Sequence, residues 1–169
     1  MKIILLAAFL LISFTDSGGT LYKAADIRGN EVIIGAGNEP AIIIMFHGIA
    51  CKECFHKIDT ALNKINVPLK KIVLLNGAKR NIIRKKEEIK RARQYFSKKE
   101  YEFLFDIEDD QDSGKNIQTG LLSKYKVEIA PAVLIITRKK TQFYRQKELF
   151  KDNTVAADLE LLFRKHLKK

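Results

Sequence analysis

The chain has 169 residues, 46% hydrophobic and 30% charged, which suits a single globular domain able to bury a core without staples. Its two cysteines exclude a disulfide-built scaffold, and the lack of repeats or low-complexity linkers favours one domain over several. The formal net charge of +11 leaves three explanations open: nucleic acid, an anionic membrane surface, or a solvated basic face.

The first segment, "MKIILLAAFLLISFTDSGG", has one lysine, an apolar run from Ile3 to Ile12, then small and polar residues. This layout predicts a secretory signal over residues 1–19, cleaved between Ser17 and Thr20 or kept as a signal anchor, because the run is short for a membrane span. Residues 20–169 are then an exported domain, secreted or tethered outside the membrane. Both thiols would sit in an oxidising compartment, where a neighbouring pair is largely a disulfide unless a partner reduces it.

The hairpin "DIRGNEVII" turns at Gly29-Asn30. "AIIIMF" is a β-branched apolar run that suits a central strand buried on both faces. "CKECFHKIDTALNKI" carries Phe55, Ile58, Leu62 and Ile65 at helical spacing, and "KKIVLLN" is a second buried strand. A basic helix follows from Asn81 to Lys98, with Ile82, Ile89, Ala92 and Phe96 as its inward stripe. Between Lys79 and Lys99 there are ten Lys or Arg and two Glu, a local net charge of +8. The stripe makes these charges a solvated helix face. No nucleic acid is expected, and weak attraction to an anionic membrane remains open.

"YEFLFDIEDD" is a short strand ending in an acidic loop, "GKNIQTGLLSKYKV" a short helix, and "PAVLIIT" a third apolar strand opening at Pro131. "TQFYR" returns antiparallel. From Asn153, a last helix carries Val155, Leu159, Leu162 and Phe163 inward. Strands alternating with helices predict an α/β fold with a sheet covered on both sides, and the late hairpin makes that sheet mixed.

"HGIACKECFH" concentrates the chemistry. Cys51 falls at the start of a helix after a buried strand, where unpaired N–H groups and the helix dipole favour a thiolate. Cys54 lies three residues on, on the same face, within disulfide reach. Cys51, nearer the exposed end, would attack, and Cys54, more enclosed, would resolve. Lys52 favours the thiolate and Glu53 opposes it. Three other uses of these residues compete. "GIACKECFHKIDTALNKINVPLKKIVLL" resembles the small heavy-metal-binding domain of copper chaperones, in which Cys51 and Cys54 would hold a soft metal, but that fold leaves everything after Asn76 unexplained. A zinc site could draw on His47 and His56 as well, although His56 would point away from the pair. An inert clip is the third, and a bridge over so short a loop stabilises little. Covalent haem would need His where Phe55 stands.

Four features together resemble the thioredoxin superfamily, most closely its exported TlpA/ResA-type thiol–disulfide oxidoreductases. They are the early hairpin, the strand–"CKEC"–helix unit, the run "FDIEDDQDSGKNIQTGLLSKYKVEIAPAVLIIT" with its proline-opened strand, and the closing hairpin and helix. The resemblance implies a thioredoxin-like fold: a central mixed sheet with an N-terminal hairpin and helices on both faces. It implies a cis Ala130-Pro131 bond, with Pro131 beside the cysteines and the Ala130 backbone offered to a client peptide. The substrates would be disulfides or thiols of exported proteins, served by a membrane or periplasmic redox partner, with no metal or organic cofactor. The chain departs from the family at "FHGIAC", which lacks the usual Trp, and at Met45, where thioredoxin has a buried Asp. His47 or Asp59 could take over that role.

Overall fold

The computed structural model of the chain describes residues 21–35, 39–47, 49–77, 80–96, 100–107, 120–150 and 156–167. In chain order these form β1 (Tyr22–Ala25), β2 (Glu31–Ile34), β3 (Ala41–Phe46), β4 (Ile49–Ala50), α1 (Lys52–Asn63), β5 (Lys70–Leu75) and α2 (Ile82–Arg93). There follow β6 (Glu102–Asp106), α3 (Leu121–Lys124), β7 (Ile129–Ala130), β8 (Ala132–Ile136), β9 (Thr141–Tyr144), α4 (Gln146–Leu149) and α5 (Ala156–Leu167). The expected signal over residues 1–19, most of the acidic loop, Asn153 and Val155 lie outside the described residues.

Seven strands make one mixed sheet in the order β2-β1-β6-β5-β3-β8-β9. β3, β5 and β6 run parallel at its centre, while β1–β2 and β8–β9 are antiparallel hairpins at its two edges. The two apolar runs are continuous because alternate residues feed two cores. Ile42, Ile44, Val73 and Leu75 face one core, with Phe55, Ile58 and Leu62 of α1, Ala92 of α2, Leu149 of α4, and Leu159 and Phe163 of α5. Ala41, Ile43, Met45, Ile72 and Leu74 face the other, under Leu121 and Leu122 of α3. Helices therefore flank both faces. Side chains such as Phe55 and Ile44, with no exposure at all, each contribute about 1.5–3 kcal/mol through burial.

The first hairpin starts earlier than "DIRGNEVII": its outgoing strand is Tyr22–Ala25, and Asp26–Asn30 is the turn. The Asp26 carboxylate accepts the backbone N–H groups of Arg28 and Asn30 at 2.8 Å, and Gly29 takes φ of 93°.

The basic helix is capped by the Asn81 side chain, which accepts the Arg84 N–H at 3.0 Å, and it ends at Arg93 rather than Lys98. Its inward stripe also differs from the expected one. Ile82 is 48% exposed and Ile83 69%, whereas Lys85 is buried with Ala92. Lys85 lies two turns before Ala92 and shares its stripe; Ile82 opens the helix a turn further out. The Lys85 ammonium sits 5.0 Å from the centre of the Phe105 ring, so a charge that periodicity placed in solvent rests on an aromatic face.

The short helix α3 is held by Asp106, whose two carboxylate oxygens accept the N–H groups of Leu121 and Leu122 at 2.8 Å. Gly120 is required there, because a Cβ would stand 2.4 Å from the Ile107 carbonyl oxygen.

Candidate active site at the Cys51–Cys54 pair

The β3 strand delivers the chain to the carboxyl edge of the sheet, and α1 begins six residues after its end. Cys51 is the N-cap of α1, in extended conformation, and its sulfur accepts the Cys54 N–H at 3.3 Å. Serine, threonine, aspartate and asparagine are the residues preferred at this position, where a side-chain oxygen accepts the same bond. The geometry therefore aims a backbone donor and the positive end of the helix dipole at the Cys51 sulfur. Cys51 and Cys54 form a disulfide with Cα atoms 5.3 Å apart, inside the usual range. The pair is asymmetric, since Cys54 is 8% exposed and buried while Cys51 is half-buried.

A two-stranded pair fixes this loop against a second one. β4 and β7 run parallel, with Ile49 opposite Ile129 and Ala50 opposite Ala130. The Cys51 N–H donates to the Ala130 carbonyl at 3.3 Å, and the next peptide bond, Ala130-Pro131, is cis. Two segments eighty positions apart in the chain are thus laid side by side at the start of α1. Below them, Phe46, Phe55 and Tyr95 make an aromatic cluster with ring centres 5.0 to 5.3 Å apart.

No family model matches the sequence, and no curated protein matches it. Solved structures do align with it. StoA from Bacillus subtilis is 12% identical, over 87% of this chain and 98% of that one, with a TM-score of 0.45. A thiol-disulfide isomerase from Corynebacterium glutamicum is 18% identical, over 78% of this chain and 82% of that one, at 0.48. ScoI from Arabidopsis thaliana, with copper bound, is 10% identical, over 89% of this chain and 98% of that one, also at 0.48. At such identities and scores the alignments say nothing of chemistry. The strand order decides the fold: β3, β5 and β6 parallel at the centre, β8 antiparallel to β3 and β9 to β8, with C-x-x-C opening the helix after β3. The fold is thioredoxin-like.

Within this thioredoxin-like site the expected residues divide. Cys51, Cys54 and Ala130 meet, with Pro131 next in the chain. Lys52 and Glu53 are exposed on the first turn of α1, and Glu53 pairs with Lys57 at 3.1 Å, which mutes its opposition to a thiolate. Asp59 is fully buried, but it accepts the Tyr101 hydroxyl at 2.7 Å. It lies five positions beyond Cys54, about 140° around the helix, so it faces away from the pair. Burial first, then the hydrogen bond to Asp59, pushes the Tyr101 phenol up and keeps it protonated.

His47 approaches the Asn76 side chain at 3.4 Å and lines a cavity of about 310 Å3 with Asn76, Asp106 and Leu122 at the carboxyl ends of β3, β5 and β6. Its described hydrogen bond is to Asn76, not to either cysteine. His56 points outward, and among the described residues no group of three or more His, Cys, Asp or Glu is placed to hold a metal. Met45 is buried in the second core, so that position supplies no proton relay.

Sequence reasoning missed Gln146. Its carboxamide nitrogen lies 3.7 Å from the Cys54 sulfur, close enough for a hydrogen bond to sulfur. It also lines a groove of about 290 Å3 with Val127, Ile129, Ala132 and Phe143. Ninety-two positions separate the two residues, and no spacing rule links a cysteine to a glutamine so far along the chain.

Proposed function

We propose that this protein exchanges thiols and disulfides with protein partners, with Cys51 as the nucleophile and Cys54 as the resolving thiol. The observation that carries the reading is the asymmetry of the pair: Cys51 caps the helix, half-buried, with a donor aimed at its sulfur, while Cys54 is enclosed. In the reducing direction the Cys51 thiolate attacks a client disulfide. One client sulfur leaves as a thiolate, and the other stays bonded to Cys51. Cys54 then attacks the Cys51 sulfur, the mixed disulfide breaks, and two electrons have passed from the dithiol to the client. In the oxidising direction the same steps run backwards.

The client would lie along the Ile129–Ala130 backbone beside Pro131. Ile129 is 50% exposed there, beside the groove that Phe143 and Gln146 share. Lys52 and Glu53 tune the thiolate, and His47 acts at most through the neighbouring loop. Residues 1–19 act as an export signal or anchor for a domain over residues 20–169, in the periplasm or on the outer face of the membrane, where exported clients and a membrane or periplasmic redox partner meet it. Among the described residues no helix is long and apolar enough to cross a membrane. The cationic face of α2 supports weak attraction to an anionic bilayer.

Trapping tests the roles. Cys54→Ser, mixed with a disulfide-linked peptide, accumulates a Cys51–peptide mixed disulfide visible by mass spectrometry, and Cys51→Ser accumulates little. Equal trapping by both variants, or stoichiometric copper held tightly by the reduced protein in place of exchange, overturns the reading.

A further inference from the structure

We infer that Gln146 is the hydrogen-bond donor that holds the Cys54 sulfur as a thiolate when it attacks the mixed disulfide; the inference rests on the exchange reading above. The two sulfurs have unequal support. The Cys51 sulfur has the Cys54 N–H and the end of the helix. The Cys54 sulfur lies a turn inside and is buried, where loss of water disfavours its charged form. Yet the resolving step needs that form. Its described side-chain donor is the Gln146 carboxamide, at 3.7 Å.

The position of Gln146 is built rather than incidental. The β9 strand is pinned to β8 across four residue pairs, and the chain turns directly into α4. Arg145 caps that helix, donating its N–H to the Glu148 carboxylate at 2.7 Å, and Leu149, 2% exposed, anchors it in the core. Gln146, the first residue of α4, is thereby directed back across the groove at α1.

The elements that carry the site bear these charged residues: Lys52, Glu53 and Lys57 on α1, Glu128 before β7, and Arg145, Lys147 and Glu148 at α4, while the buried Asp59 of α1 is turned to the Tyr101 hydroxyl. Glu53 is engaged by Lys57, and Glu148 by the Arg145 N–H. Among the described residues none of these charges hydrogen-bonds the Cys54 sulfur, which leaves a neutral donor in contact with it. In the step itself, the Cys54 thiol gives its proton to solvent and the thiolate attacks the Cys51 sulfur. The Cys51–Cys54 bond forms as the Cys51–client bond breaks, and the departing client thiolate takes up a proton.

The test is the pH dependence of alkylation of Cys54 in a Cys51→Ser background, with Gln146 intact or replaced by Leu, Glu or Arg. The Leu variant should move the midpoint upward and slow labelling at neutral pH by about tenfold, as loss of one donor to a charged group implies. Glu should move it further up, and Arg should restore or lower it. With Cys51 present, the same order should appear in the rate at which a Cys51–peptide mixed disulfide resolves. Circular dichroism reports whether each variant is folded, and a purely structural role for Gln146 would not produce an order set by charge. Identical midpoints in folded variants overturn the inference. Labelling needs no client, so it stands apart from the exchange reading, whose own failure would be the absence of any peptide transferred to Cys51 while Gln146 is intact.

Discussion

Reduction of the Cys51–Cys54 bond should leave the domain folded, and the structure says by how much it should weaken. The bridge joins residues three positions apart and closes a loop of four. In the chain-entropy treatment such a loop restricts the unfolded state by about 6 cal/mol/K, or about 2 kcal/mol at 25 °C. What holds the fold is elsewhere: two cores on opposite faces of a seven-stranded sheet, with Phe55, Ile58 and Leu62 fixing α1 independently of the bridge. The reduced Cys51 sulfur can still cap the helix. Urea titrations followed by circular dichroism, with and without dithiothreitol, should therefore show superimposable native spectra. The midpoint should fall by roughly 1 M, taking a slope of about 2 kcal/mol/M. A thermal midpoint should fall by roughly 4–8 °C for a domain of this size. Loss of the native spectrum on reduction at 25 °C would refute this reasoning and make the bridge a structural clip.

Tyr101→Phe should cost about 1.5–3 kcal/mol in the same titrations, because it removes a donor from the buried Asp59 carboxylate. Exchange rates should not change, and a slower exchange at unchanged stability would restore Asp59 as a proton relay. His166 is buried, with its Nε2 against the Tyr144 hydroxyl and its Nδ1 without a partner among the described residues. Burial first, then Lys140 and Lys165, holds its pKa below the ordinary 6.5. The unfolded chain thus binds this proton more readily, so His166 should make stability fall as pH drops below about 6.5, until its own folded-state value is passed. Urea midpoints of the wild type and His166→Gln between pH 7.5 and 5.5 should diverge in slope, and parallel slopes would contradict the assignment.

Much of the site was legible because a few residues carry strong local constraints. "AIIIMF" and "KKIVLLN" are short apolar runs rich in β-branched residues that suit strands buried on both faces, and they are β3 and β5. The spacing of Cys51 and Cys54 put both sulfurs on one face of a helix start, where they are bonded. Other features depend on tertiary contact and leave no periodic trace. β4 and β7 are two residues each, too short for alternation, and exist by pairing with one another. The strand Tyr22–Ala25 has three buried residues of four, which blurs its period of two. Ile82 satisfied the helical pattern but falls at the helix end, while Lys85, charged, takes the inward place over Phe105. Gln146 was invisible because the closing hairpin, and not local sequence, brings it to Cys54.

The central claim is that the Cys51–Cys54 pair performs exchange, and catalysed turnover tests it most directly. With a dithiol as reductant and a protein disulfide in excess, the wild type should accelerate reduction of the client disulfide by on the order of a hundredfold or more over the Cys51→Ser variant, since only a positioned, activated thiolate initiates transfer. Equal rates for wild type and Cys51→Ser, both matching the dithiol alone, would contradict the account and leave a thioredoxin-like fold that carries its cysteine pair for another purpose.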